Sequence, residues 1–276
     1  MTEHEIYPNA PLVLVAVEVR FPGASAPASN MPMALQRSFR DRLGEDWVIE
    51  SMQTQQISFA FGPEGPAEQQ IKSVTVPRFT VRDRTLSIAI TQESLTIETT
   101  NYLHYPQFRK VLERAFFLAA EILQPDGVAR VGMRFIDELR FPGIAEKGSG
   151  DWKNWLPQSL LPPAMETMAK QGVDARGWSG LAQYRVEPER YLVLRYGVSD
   201  TSAVNVLGPL KLPAAASGPQ FTLDFDCFWQ PSTIPAFAPG DLVKTCDELR
   251  KPIRSLFDSL VTDRMIAEFR REPNDA

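Results

Sequence analysis

The chain is poor in the residues on which most active sites depend. It has two histidines, His4 and His104, and two cysteines, Cys227 and Cys246, in 276 residues. So few imidazoles and thiols argue against a histidine-based triad, a histidine-rich metal site and a disulfide framework. The two thiols read as reduced, buried, small apolar side chains. The sequence contains no Gly-x-x-x-x-Gly-Lys phosphate loop, Gly-x-Gly-x-x-Gly turn, His-Glu-x-x-His or Cys-x-x-Cys. Gly177-Trp178-Ser179-Gly180 falls short of a nucleophile elbow, because Leu181 stands where the last glycine belongs. No apolar run approaches the roughly 20 residues of a bilayer-spanning helix. Basic excess is missing too: the formal net charge is −5, which argues against generic nucleic-acid binding. The opening residues lack a basic stretch ahead of their apolar segment, so no signal peptide is expected and the protein reads as cytoplasmic.

What the sequence does have is alternation. In residues 128–141 the odd positions Ala129, Val131, Met133, Phe135, Leu139 and Phe141 are apolar, with Asp137 the exception. Arg130, Arg134, Glu138 and Arg140 fall on even positions, as in a strand with one buried and one polar face. Residues 12–21 alternate in the same way, with Val13, Val15, Val17, Val19 and Phe21 opposite Glu18 and Arg20. Further strands are expected over 47–61 (one interrupted strand or two), 71–81, 85–91, 95–100, 181–186, 190–198, 204–212 and 220–230. Apolar residues at helical spacing predict helices over 32–43, 105–124 and 164–170, and a long one from residue 241 that Pro252 should bend. Thr262 is expected to cap a last short helix.

Both alternating strands end alike, VAVEVRFPG at residue 23 and FIDELRFPG at residue 143. This weak internal repeat divides the chain into two halves, 1–127 and 128–276, that share a core. The expected fold class is α+β, with two β-α-β(3–4)-α repeats forming a continuous antiparallel sheet and long helices on one face. That topology resembles the duplicated fold of the TATA-binding protein and the related helix-grip folds. The chain lacks the basic surface and paired wedge phenylalanines that DNA bending requires.

Three stretches carry a closer resemblance. They are Tyr7-Pro8-Asn9-Ala10-Pro11-Leu12 with Val17-Glu18-Val19-Arg20-Phe21, the Arg-x-Gly-x-Arg-Phe-Ile segment at 130–136, and Phe257-Asp258-Ser259-Leu260-Val261-Thr262. Together they resemble an uncharacterised, sporadically distributed bacterial protein family with no assigned activity, cofactor or catalytic residue. Asp137 stands where that resemblance leads one to expect Asn. The patchy distribution implies a link to bacterial defence or mobile elements.

Three functional readings follow. The first is a non-catalytic binding or regulatory protein that engages a protein partner through its mixed-charge sheet face or through loops bearing Trp152, Trp155 and Trp178. Its candidate network is Arg20, Arg130, Arg134, Asp137, Asp224 and Asp226, with cross-strand ion pairs expected between arginines and aspartates. The second is a small-ligand-binding protein with a helix-grip cavity, marked by a pocket lined with Phe, Tyr and Trp and a few unpaired polar groups. A small anionic ligand would suit the arginines, and Arg78, Arg82 and Arg84 form a further row of one strand parity. The third is a carboxylate-metal-dependent hydrolase around Asp224 and Asp226, marked by carboxylates that converge without arginine partners. No catalytic residue, metal ligand or cofactor is assigned.

Overall fold

The alternation of residues 12–20 becomes the first strand, β1 (Leu12–Arg20), of a computed structural model in which Val15, Val17 and Val19 have no exposed surface. The structure describes residues 6–22, 31–60, 68–144, 149–173, 175, 177–199, 210–212 and 218–272, the side chains of 52–60, 68–75 and 149–151 excepted. After β1 come α1 (Met33–Leu43), β2 (Trp47–Ala60), β3 (Glu68–Val81), β4 (Leu86–Ile90), β5 (Ser94–Thr99) and α2 (Tyr105–Ile122). The second part runs β6 (Arg130–Leu139), α3 (Met165–Ala169), β7 (Ser179–Glu187), β8 (Arg190–Ser199), β9 (Gln220–Trp229), α4 (Pro239–Leu260) and α5 (Asp263–Phe269). Two short 3-10 turns, Ser149–Asn154 and Gln158–Leu160, carry the chain from β6 towards α3. The strand expected over 204–212 lies mostly outside the described residues.

All nine strands join one antiparallel sheet in the order β2-β3-β4-β5-β1-β6-β9-β8-β7. The class is thus α+β, with five α-helices among the described residues. The central β1/β6 ladder pairs Val15 with Phe135, Val17 with Met133 and Val19 with Val131, so both apolar sets point to the same side. On that side α1, α2 and α4 supply Phe39, Phe116, Cys246 and Ile253 to one continuous core. Phe39 stacks on Phe79 at 4.7 Å, seating α1 on β3. Arg109 of α2 reaches Asp247 of α4 at 3.0 Å, tying the two long helices together.

Local chemistry explains most boundaries. His104 caps α2, its Nδ1 accepting from the Gln107 amide at 3.2 Å, and Thr262 caps α5 through the Met265 amide at 3.3 Å. The β3–β4 turn lacks a glycine, so Arg84 itself takes the left-handed conformation, with φ 62°. Asp83 accepts from the Thr85 amide at 3.0 Å to hold that turn. Helix α4 runs through Pro252 without interruption, and Cys246 and Leu249 before it and Ile253 and Leu260 after it all stay buried. Among the described residues no helix is long and apolar enough to cross a membrane.

Two expectations need correction. The four-residue spacing of Leu35, Phe39 and Leu43 predicts one apolar row on α1, yet Leu35 is 42 % exposed and only Phe39 and Leu43 are buried. The side of the sheet away from the helices is also less wet than expected. Leu14 and Ile136 form a small apolar cluster there, with Leu212 packed on it, and Arg78, Thr80 and Ser87 are fully buried.

Candidate functional site

Two places bring polar side chains together, one on each side of the sheet. On the helix-free side, antiparallel register puts Arg134 opposite Asp226 and Ile136 opposite Asp224 across β6/β9. Arg134 grips Asp224 with two parallel bonds of 2.7 and 2.8 Å, a fork-to-carboxylate arrangement. Those bonds, against the cost of burial, raise the Arg134 pKa further, so its charge is fixed. Arg130 spans Glu18 at 3.1 Å and Asp226 at 3.1 Å, and its guanidinium lies 4.5 Å above the Phe228 ring. Arg20 pairs with Glu18 at 2.8 Å, and Arg195 approaches Asp224 at 3.7 Å. Gly132 makes room for this network, because a Cβ there would stand 2.9 Å from Arg130 Cζ.

Five of the six residues grouped from the sequence, Arg20, Arg130, Arg134, Asp224 and Asp226, therefore meet on this face. Each carboxylate has an arginine partner, which is an ion-pair arrangement and not an open cation site. Among the described residues no three His, Cys, Asp or Glu side chains are placed to hold a metal. The Arg78–Arg82–Arg84 row does not form a patch: Arg78 is buried against Glu98 at 2.7 Å, and Arg84 in the turn pairs with Glu50 at 3.2 Å.

Asp137 is on the other side. A register shift in the β1/β6 ladder lets Leu12 pair with Asp137 and Leu14 with Ile136, and β9 places Leu223 opposite Asp137. Its carboxyl thus points under α4, with the residue 4 % exposed, and no hydrogen bond or ion pair reaches it among the described residues. Burial pushes its pKa up to about 8, with Arg254 pulling the other way, so at neutral pH the carboxyl is protonated.

Asp137 opens onto a cavity of about 330 Å³. Strands supply the floor, Leu12, Phe135, Asp137 and Phe225; α4 supplies the roof, Arg250, Ile253, Arg254 and Phe257. One wall is the lead-in from Ile6 to Pro11, the other the β5–α2 connection carrying Tyr102. The lead-in is fastened at two points, by Glu138 N–H to the Pro11 carbonyl at 2.8 Å and Asn9 N–H to the Phe269 carbonyl at 3.0 Å. Aromatic edges brace the floor and the roof, Tyr102–Phe135 at 5.6 Å and Phe225–Phe257 at 6.2 Å.

Polar groups at this cavity are poorly matched within the protein. Arg250 has no carboxylate partner among the described residues; its guanidinium lies 4.8 Å over the Tyr105 ring. The Tyr102 hydroxyl is buried beside the Arg250 guanidinium, whose charge and weak hydrogen bonding oppose the upward pKa shift that burial gives it. Arg254 binds Asp258 at 2.9 Å on the outer side of α4. The signal for this site in the sequence was the single odd-parity carboxylate at Asp137; nothing in the periodicity pointed to Arg250 or Tyr102.

The remaining candidates pack as structure. Trp152 and Trp155 are buried, Trp155 stacks on Phe141 at 4.1 Å, and Trp178 donates to the Leu160 carbonyl at 2.9 Å, so they plug one end of the core. Cys227 and Cys246 are free and buried, and burial pushes the Cys227 thiol up to about 12. Compared with protein-family models and with curated proteins, the chain matches none.

Proposed function

We propose that this chain is a small-ligand-binding protein whose ligand occupies the cavity between α4 and the central strands. The observation that carries the reading is a preformed, aromatic-walled space lined by a buried carboxyl without a hydrogen-bond or ion-pair partner and by an arginine without a carboxylate partner among the described residues. Buried polar groups normally find partners, and a ligand would supply them here. The volume lies at the lower end of the range for small-molecule sites. Each of the three stretches that carry the family resemblance also meets this space, through Tyr7–Leu12, Phe135 and Phe257. The charged sheet face, with its carboxylates already paired, supports a structural role.

The repeat belongs to the same proposal: residues 1–127 and 128–276 are a duplicated unit of the kind seen in helix-grip folds. Its support is the strand order, which reads β1-β5-β4-β3-β2 outward on one side of the central pair and β6-β9-β8-β7 on the other, so four strands correspond and β2 is extra. Free buried cysteines support a cytoplasmic setting. A second reading, a protein partner, rests on β7, an edge strand exposing Leu181 at 65 %, Tyr184 at 45 % and Val186 at 39 %.

The test of the cavity is thermal denaturation of the intact chain and of Ala10→Trp across a small-molecule library. Compounds that raise the Tm of the native chain and not of the bulky variant are expected, since a ligand at 100 times its Kd adds about 2.7 kcal/mol. If every stabilising compound acted equally on both proteins, the reading would be lost.

A further inference from the structure

Resting on the cavity reading above, we infer that the occupant is a small amphipathic organic anion. Its acidic group lies against Arg250 and Arg254 and its apolar body against Phe135, Phe225 and Phe257. The argument begins with charge. Arg250 and Arg254 are one helical turn apart on α4 and both line the cavity, whereas among the described residues the only carboxyl that lines it is Asp137. Asp137 holds its proton until about pH 8, so at neutral pH the described lining contributes guanidinium charge and no anion. Arg254 is neutralised from outside by Asp258; Arg250 is not neutralised by any described carboxylate.

Hydrogen-bonding sense agrees with charge. Arg250 and protonated Asp137 both present donors. A carboxylate, sulfonate or phosphate oxygen accepts from such groups, and a guanidinium fork suits it geometrically. An amine would meet arginines of its own sign. Apart from Tyr7, Thr100, Asn101 and Tyr102 the rest of the lining is apolar, with Leu12, Phe135, Phe225, Ile253 and Phe257 among it, which suits a largely apolar body. At about 330 Å³ the space equals the liquid volume of roughly eleven waters, which sets a modest size.

Asp137 makes this binding pH-sensitive. The charged and titratable groups that share the cavity with it are Arg250 and Arg254 from α4, Tyr102 from the β5–α2 connection and Tyr7 from the lead-in; β1 and β9 contribute only Leu12 and Phe225. Once Asp137 ionises it withdraws a donor and sets a negative charge beside the bound anion.

The experiment uses two fluorescent probes that differ only by a sulfonate, 8-anilinonaphthalene-1-sulfonate and N-phenyl-1-naphthylamine, titrated into the intact chain. At pH 7 the sulfonate is expected to bind saturably and at least tenfold tighter than the neutral probe. Arg250→Gln should weaken the sulfonate tenfold or more and leave the neutral probe within twofold, and Arg250→Lys should recover part of the loss. Between pH 7 and 9.5 the native chain should lose sulfonate affinity, and Asp137→Asn should not. Equal affinity for both probes, or indifference to Arg250→Gln, overturns the anionic assignment while leaving the cavity reading intact, provided Ala10→Trp and Phe257→Trp abolish both signals. No saturable binding of either probe, or binding that both bulky variants leave unchanged, overturns the cavity reading itself.

Discussion

Asp137 shows how a single residue can carry a sign that the surrounding pattern hides. Its odd position among apolar neighbours set it apart in the sequence, but grouping it with the arginines by charge put it on the wrong side of the sheet. Strand parity was the better guide: Asp137 continues the row of Val131, Met133 and Phe135 beneath α4, and the ladder shift on β1, which no periodicity announces, brings Leu12 opposite it. Because its folded pKa of about 8 lies above the unfolded value of about 3.9, the folded state binds the extra proton. Its stabilising contribution is therefore full below pH 4 and is lost as pH rises to 8. Asp137→Asn, neutral at every pH, should match the native chain near pH 4 and exceed it by about 3–5 kcal/mol above pH 8 in urea denaturation. Parallel stability curves for the two proteins would rule out the buried neutral carboxyl. On the opposite face Arg134→Ala removes the bidentate partner of Asp224, which is 6 % exposed and keeps only Arg195 at 3.7 Å. Because the guanidinium is itself 47 % exposed, the expected cost is about 1–2 kcal/mol and not the 3–5 of a fully buried pair. Asp224→Asn in the same chain should recover part of it; a loss with no recovery would argue against pairing as the cause.

At the scale of elements, legibility followed burial. Strands β1, β6 and β9 were readable because apolar and polar side chains alternate along them with period two, although β9 is buried on both faces over its first half, and α2 because its apolar stripe is broad. Phe108, Leu112 and Phe116 are all buried, as are Ile253 and Leu260 of α4. Phe257 is the exception on that helix: it shares the same spacing yet is only partly buried, because it borders the cavity. Helical spacing names the side of a helix and says nothing about whether that side meets atoms or space. Leu35 failed for a related reason, since an eleven-residue helix at the margin of the sheet covers only its last turns. Arg250 and Arg254 were invisible as site residues because arginine on a long helix ordinarily faces solvent. These differences can be measured. Phe116→Ala should cost roughly 3–5 kcal/mol, as for a fully enclosed ring, while Phe257→Ala should cost about half of that. Equal losses in chemical denaturation would mean that Phe257 is packed on all sides.

At the scale of the molecule, the sheet and the cavity depend on residues from both ends of the chain. β1 sits between β5 and β6, so the ladder that closes the first half also opens the second. The cavity takes Leu12 and Tyr102 from the first half and Asp137, Phe225 and the α4 roof from the second. Even the lead-in is held by second-half atoms, the Glu138 amide and the Phe269 carbonyl. Cutting the chain between residues 127 and 128 would leave β1 and β6 as unpaired edges whose apolar side chains, Val15, Val17, Met133 and Phe135 among them, lose their neighbours. An exposed apolar edge of this length favours association over monomeric folding. The repeat suggested by the sequence is thus expected to be a repeat of topology and not of independently stable units. Expressed alone, 1–127 and 128–276 should each fail to give a cooperative thermal transition as a monomer, and neither should bind the naphthalene probes saturably. Mixed from denaturant, they should recover both the transition and the binding, because the β1/β6 ladder and the cavity form only together. A monomeric 1–127 that unfolds cooperatively by circular dichroism would show that the first half carries its own core and that the central ladder is a docking seam.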